Sequence, residues 1–138
     1  MWTTEQSTDT TAAPQAIWRV WSDVDRWPDW NTDLVRAELS GPFAGGSTIT
    51  MHQRGGDTIE LRIAEASEPE SFVDQADLGE VVVRTIHRLE PLERDRVRVI
   101  YRMEISGPGA DTLGPRIGAA ISADFPQVLA AVIARAEG

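Results

Sequence analysis

Val97-Arg98-Val99-Ile100-Tyr101-Arg102-Met103-Glu104-Ile105, followed by Gly107-Pro108-Gly109, is the stretch on which the fold turns. Val97, Val99, Tyr101, Met103 and Ile105 recur at every second residue, the period of a strand with one buried face. Beyond the glycine-proline-glycine break the period changes. Leu113, Ile117, Ile121, Phe125, Val128, Leu129, Val132 and Ile133 recur at helical spacing up to Gly138, which predicts a long amphipathic helix closing the chain. Pro126 lacks a donor N–H and crowds the preceding turn, and Asp124 is a candidate cap, so this helix is expected to bend or restart there.

Upstream of Val97 the strand period repeats. Phe72 to Leu78 and Val81 to Leu89 alternate in the same way, bounded by turns around Gly79 and around Pro91 to Asp95. Ile59, Leu61 and Ile63 face away from Thr58, Glu60 and Arg62, between Gly55-Gly56-Asp57 and Pro69. Val35, Ala37 and Leu39 alternate with Arg36 and Glu38 as far as Gly41-Pro42, and beyond Gly45-Gly46 the alternation resumes through Ile49 and Met51, as in a hairpin. Connections this short join antiparallel neighbours, because a parallel pair needs a crossover of about a dozen residues. At the other end, Trp2 to Thr10 is threonine-rich and reads as a first strand. Pro14, with Thr11 or Ala13 as cap candidates, opens a short helix carrying Ile17, Trp18, Val20 and Trp21. Val24, Trp27 and Trp30 stand three apart around Pro28, which predicts a second short helical turn.

The fold class is therefore α+β: a curved antiparallel sheet of about seven strands, two short helices after the first strand and a long C-terminal helix. A length of 138 residues fits a single domain over 1–138 that buries roughly 70% of its unfolded surface. Thirteen basic against twenty-two acidic residues give a net charge of -9, which repels nucleic acid and anionic membranes alike. With no cysteine there is no disulfide and no thiolate site, and two histidines leave little for a metal. The opening Met1-Trp2-Thr3-Thr4-Glu5-Gln6 has no basic or apolar leader pattern, and no uncharged apolar stretch reaches about 18 residues. The expected location is cytoplasmic, without an integral membrane segment.

This order of elements, with Ile17-Trp18, Ser22-Asp23-Val24, Trp27-Pro28-Asp29-Trp30-Asn31, Gly41-Pro42-Phe43 with Gly45-Gly46, and the terminal helix, resembles the START-like helix-grip (SRPBCC) superfamily in its polyketide cyclase/dehydrase-like branch. The resemblance covers essentially the whole chain. It implies a cavity between sheet and helix that holds sterols, polyketides, other aromatic metabolites or lipid tails, with catalysis in only some members. Such a fold does not by itself fix a function.

Strand parity singles out three polar residues. His87 shares the face of Val81, Val83, Thr85 and Leu89 and is expected to point inward, either as an acid–base group near its ordinary pKa of about 6.5 or as a hydrogen-bonded core histidine. Tyr101 lies on the apolar face of its strand, where its hydroxyl needs a partner. Asp74 has the parity of Phe72 and Ala76, which makes it an inward carboxylate with a raised pKa unless a bulge turns it outward. These three are the catalytic candidates. The residues expected to line a ligand site are Trp27, Trp30, Met51, Leu61, Val83, Thr85, His87, Val99, Tyr101, Met103, Ile117, Ile121 and Phe125. Trp18, Trp21, Trp27 and Trp30 either floor such a site or pack the short helices together.

Other features read as structural. Gly45-Gly46 is a hairpin turn, since neither a helix nor a Lys-Ser or Lys-Thr step follows it. His52 falls on the face of Thr48 and Thr50, too isolated from His87 for a metal pair, so no metal and no cofactor are expected. Arg84, Arg88, Arg96, Arg98 and Arg102 face outward, where cross-strand glutamates are their expected partners. Three functions fit: binding or carriage of a small apolar or aromatic metabolite or lipid; a cofactor-independent cyclase or dehydratase acting on a polyketide-like chain; and a docking module with a vestigial cavity. A small ligand and, as a homodimer, a second copy are the expected partners. Ala64, Ala76, Ala119, Ala120, Ala130 and Ala131 leave room between sheet and helix for the first two.

Overall fold

In the computed structural model, which describes residues 1–138, the alternating runs become seven strands. They are β1 (Trp2–Thr10), β2 (Leu34–Ser40), β3 (Thr48–Gln53), β4 (Thr58–Ser67), β5 (Ser71–Asp77), β6 (Val82–Pro91) and β7 (Val97–Ser106). All pairings are antiparallel, in the order β1-β7-β6-β5-β4-β3-β2. The strands from β2 to β7 form a meander, and β1 closes against the last of them. The chain therefore has to cross from one edge of the sheet to the other between β1 and β2, and two short helical segments carry it.

The first of these, α1 (Pro14–Ser22), starts with Pro14 where a missing N–H costs nothing. Ala13, not Thr11, holds the cap position, in an extended conformation and without a side-chain cap; its carbonyl accepts from the amides of Ala16 and Ile17. The helix buries Ile17, Trp18 and Trp21. A 3₁₀ turn, Val24–Asp29, follows with Pro28 inside it, and buries Val24 and Trp27. The indole N–H of Trp27 donates to the Trp21 carbonyl at 3.1 Å and so ties the turn to the helix.

One local departure from the sequence reading matters. Val35 does not share a face with Ala37: a bulge between Leu34 and Arg36 shifts the register, so that Leu34 and Ala37 are buried and Val35 is 60% exposed. A bulge adds one residue to one strand and breaks strict alternation at that point. The terminal helix restarts near Pro126, as expected, and runs as two helices, α2 (Ala110–Ser122) and α3 (Phe125–Glu137), separated at Ala123-Asp124. Pro126 lies in the first turn of α3, where its lack of an N–H is tolerated. Asp124 occupies the cap position, but its side chain makes no capping hydrogen bond.

By length and composition Ala110–Glu137 is apolar enough to cross a membrane, yet its apolar side is spent inside the fold. α2 packs on β1 and β7, and α3 on α1, β1 and β7. Gly114 and Gly118 make the close approach of α2 possible. A Cβ on Gly114 would lie 2.8 Å from the Trp2 Cβ, and one on Gly118 would overlap the Trp2 indole. Both helices thus sit over the β1–β7 side of the sheet, and the concave face of the strands from β2 to β6 is left less covered.

On the outer face the arginines are paired. Arg98 donates to Asp9 at 2.9 Å, Arg96 lies 3.9 Å from the same carboxylate, and Arg102 bridges Glu5 and Glu104. Arg88 lies near Glu90 on its own strand, and Arg84 donates to Gln75 across to β5. Two of the five therefore use an aspartate on β1 where a glutamate was expected.

Candidate functional site

A cavity of about 520 Å³ opens between the concave sheet, the turn after α1 and the α2–α3 junction. Sixteen of its 23 lining residues are hydrophobic, which makes it an apolar container with a few fixed polar groups. One end of the interior is closed by edge-to-face rings: Trp18 packs on Phe43 with centroids 5.5 Å apart, and Phe43 on Phe72 at 4.9 Å.

The polar groups come from the middle of the sheet. Asp74 on β5, Thr85 and His87 on β6 and Tyr101 on β7 all face the cavity. Their register explains why: Asp74 pairs with Thr85, and His87 pairs with Tyr101, so the four form two adjacent cross-strand pairs on one face. The His87 ring stacks on Phe72 with centroids 3.9 Å apart and planes 4° from parallel. Its Nδ1 lies 3.3 Å from the Phe72 carbonyl oxygen. A carbonyl only accepts, so Nδ1 carries the proton and Nε2 presents a lone pair. That Nε2 lies 3.9 Å from Oδ2 of Asp74, beyond hydrogen-bond reach. Tyr101 accepts a hydrogen bond from the Trp21 indole N–H at 3.1 Å, and its own O–H proton remains available.

Burial governs the charges here. It raises the Asp74 carboxyl from 3.8 to about 7 and lowers His87 from 6.5 to about 3, with backbone hydrogen bonds to Phe72 and Thr85 acting the other way on the histidine. Tyr101 is pushed well above its ordinary value by the same burial, despite the hydrogen bond from Trp21. At neutral pH the floor of the cavity therefore holds a neutral imidazole beside a carboxyl group poised between its two protonation states. At the rim, Asp124 is raised by partial burial and then by the charge of Asp33, which lies on the same side of the opening.

Of the residues expected to line a site, Trp27, Trp30, Met51, Leu61, Val83, Thr85, His87, Tyr101, Ile121 and Phe125 do line this cavity. Val99, Met103 and Ile117 do not. Val99 and Met103 lie on β7, beneath α2 and α3, and are wholly buried in the packed core. Ile117 packs against that core from α2. Asp74 turns inward with the predicted parity. Of the four tryptophans that were to floor a site or pack the short helices, Trp21, Trp27 and Trp30 line the cavity and Trp18 does not; Phe72 and Leu34 line it without having been expected to, as do the rim residues Asn31, Asp33, Gln53 and Asp124. Phe72 was legible from its shared parity with Asp74, whereas the rim lies in turns and helix ends that no period marks.

His52 is on the outer side, 2.9 Å from Glu38, whose carboxyl it holds below the usual range. No three His, Asp or Glu side chains converge as metal ligands would. All thirteen basic residues of the chain are arginines, so there is no lysine amine for Schiff-base chemistry. What the arrangement can do is enclose an apolar body and offer it, at one point, a proton acceptor, a proton donor and a carboxyl group that titrates near neutrality.

The family model described as polyketide cyclase/dehydrase and lipid transport matches residues 1–137. No protein of curated function matches the chain in sequence. Among solved structures, norcoclaurine synthase from Thalictrum flavum is similar with a TM-score of 0.74 over 95% of this chain and 83% of that one, at 14% identity. Ara h 8.0201 is similar with a TM-score of 0.79 over 98% and 97%, at 13% identity. The di-domain ARO/CYC BexL from the BE-7585A biosynthetic pathway matches 99% of this chain over 50% of its own length, with a TM-score of 0.76 and 12% identity. At such identities these likenesses speak for the fold alone.

Proposed function

Because the chain belongs to the polyketide cyclase/dehydrase and lipid transport family, we propose that it binds a small apolar or aromatic molecule in the cavity between its sheet and its helices. The observation that carries this reading is the cavity of about 520 Å³ with a predominantly hydrophobic wall, a size and character suited to a metabolite-sized ligand. An interior this open also favours binding over a docking module, for which a filled core would serve better. The cytoplasmic setting belongs to the same proposal and accords with a chain that has no cysteine.

The test is native mass spectrometry of protein purified from its own host, joined to displacement of an environment-sensitive dye by a panel of apolar compounds. A retained small molecule, or displacement together with a rise in melting temperature, supports the reading. An empty protein from which no compound displaces the dye sinks it.

A second reading has its own support. Asp74 titrating near neutrality beside the lone pair of His87 is an arrangement suited to moving a proton on a bound substrate. In that reading the protein is a cofactor-independent cyclase or dehydratase, Asp74 takes the proton and Tyr101 steadies a carbonyl oxygen. Recovery of a cyclised or dehydrated product with the protein separates it from simple carriage. Unchanged turnover of a proven substrate by Asp74→Asn would remove the carboxyl from the chemistry.

A further inference from the structure

We propose that the cavity is selective for organic cations: an aromatic or apolar body bearing a protonated amine, its nitrogen held at Asp74 beside the His87 imidazole. This rests on the cavity-binding reading and adds the charge of the ligand to it.

The lining contains three carboxylates, Asp33, Asp74 and Asp124, and none of the thirteen arginines. Charge alone would be weak grounds, but Asp74 is a second and independent observation. Its side chain is 10% exposed, and burial alone acts on it, with no hydrogen bond or opposite charge to compensate. A buried carboxyl group without a partner is costly, and the only direction in which it can find one is the cavity.

The groups around it are matched to a donor. His87 gives its Nδ1 proton to the Phe72 carbonyl and turns an Nε2 lone pair to the cavity, 3.9 Å from the Asp74 oxygen. Two acceptors at that spacing suit a nitrogen that carries several N–H bonds, and they repel a ligand carboxylate, which carries none. Trp21, Phe72 and Tyr101 line the same cavity as Asp74, packed against one another with Trp21 and Phe72 centroids 5.3 Å apart and Trp21 and Tyr101 6.3 Å apart. Packed on one another in this way, the rings make the wall around the carboxyl group apolar, so that a charge-assisted hydrogen bond formed there is weakened little by water. At the rim, Asp33 and Asp124 add a negative potential that draws cations toward the opening and is weakened by salt.

The experiment compares three probes that differ only in the head group: naphthylethylamine, naphthylethanol and naphthylacetate. Their affinities are measured by calorimetry at low salt and about pH 8, above the value of about 7 at which Asp74 ionises. The amine is expected to bind about tenfold more tightly than the alcohol, as a charge-assisted hydrogen bond implies, and the acetate most weakly. Asp74→Asn should erase the advantage of the amine over the alcohol, and its cooperative urea denaturation shows that the variant is folded. The rim double variant Asp33→Asn/Asp124→Asn, remote from the core, should lower amine affinity and flatten its salt dependence.

Equal binding of the three probes, or an amine preference that survives in both variants, overturns the cation inference and leaves the cavity reading standing. Failure of all three to bind, with the dye also unbound, overturns both.

Discussion

Asp74 and His87 lie 3.9 Å apart, and burial moves them in opposite directions, to about 7 and about 3. In the unfolded chain the carboxyl loses its proton near 3.8, while the folded protein keeps it to about 7. Stability is therefore lost as pH rises between those values, and the full cost is present above about 7. For His87 the sense is reversed. The unfolded imidazole takes up a proton below 6.5 and the folded one only below about 3, so stability is lost as pH falls through that window. Between about 4 and 6.5 the two effects oppose each other. Asp74→Asn removes one of them: urea denaturation should show the variant more stable than the parent by a few kcal/mol at about pH 8, with the gain vanishing near pH 4. No gain at pH 8 would mean that the carboxyl is better solvated than its surroundings imply. Tyr101 makes a separate case. Its inward parity and its need for a partner were both readable, but the partner, Trp21, is 80 residues away in the chain and only the fold brings it near. Tyr101→Phe leaves that indole N–H buried without an acceptor, and should cost about 1–3 kcal/mol of stability by the same denaturation measurement.

At the scale of elements, period placed the strands from β2 to β7, because each has apolar residues against a core and polar neighbours on the other face, whereas β1 was legible from its threonine-rich composition. Period failed where a single residue breaks the count. The bulge at Leu34/Arg36 leaves Val35 in solvent, and no residue there announces it. Between α2 and α3, by contrast, Pro126 and Asp124 marked the break, and of the bend or restart that they signalled the chain takes the restart, as two helices. The glycines of α2 were a signal left unread. Gly114 and Gly118 stand four apart, one helical turn, and present a smooth strip on which the Trp2 ring lies. Gly118→Ala would gain in helix propensity at an ordinary exposed position. Here the new methyl overlaps the indole, so overpacking should dominate and cost about 1–3 kcal/mol or more. Adding Trp2→Leu should recover much of that loss, and a double-mutant cycle should yield a favourable coupling energy. Additive effects would show that α2 can shift away from β1 without penalty.

For the molecule as a whole, the position of the cavity follows from where the helices rest. α2 and α3 both press on the β1–β7 side, so Val99 and Met103 are sealed in the core although they share a face with Tyr101. Parity tells which way a side chain points; it carries no measure of how near the opposing helix comes. That distance is set by residues far away in the chain, Trp2 against Gly114 and Gly118 on one side and Trp27 on the carbonyl of Trp21 on the other. The open volume is therefore a property of the assembled layers and can be tested as one. Ala76 lies on the cavity wall at β5, beside Val83 on β6. Ala76→Leu places three more carbons in the void and buries them without displacing a packed neighbour, which should raise stability by about 1–2 kcal/mol. The same change should weaken dye binding severalfold, because the added side chain occupies space that the ligand needs. Thermal denaturation and dye titration on one sample decide between the alternatives. A gain in stability with a loss of binding means that the cavity is kept open for a ligand at the expense of the fold. A loss of stability would show that the helices close onto the sheet in solution and that the volume is not free.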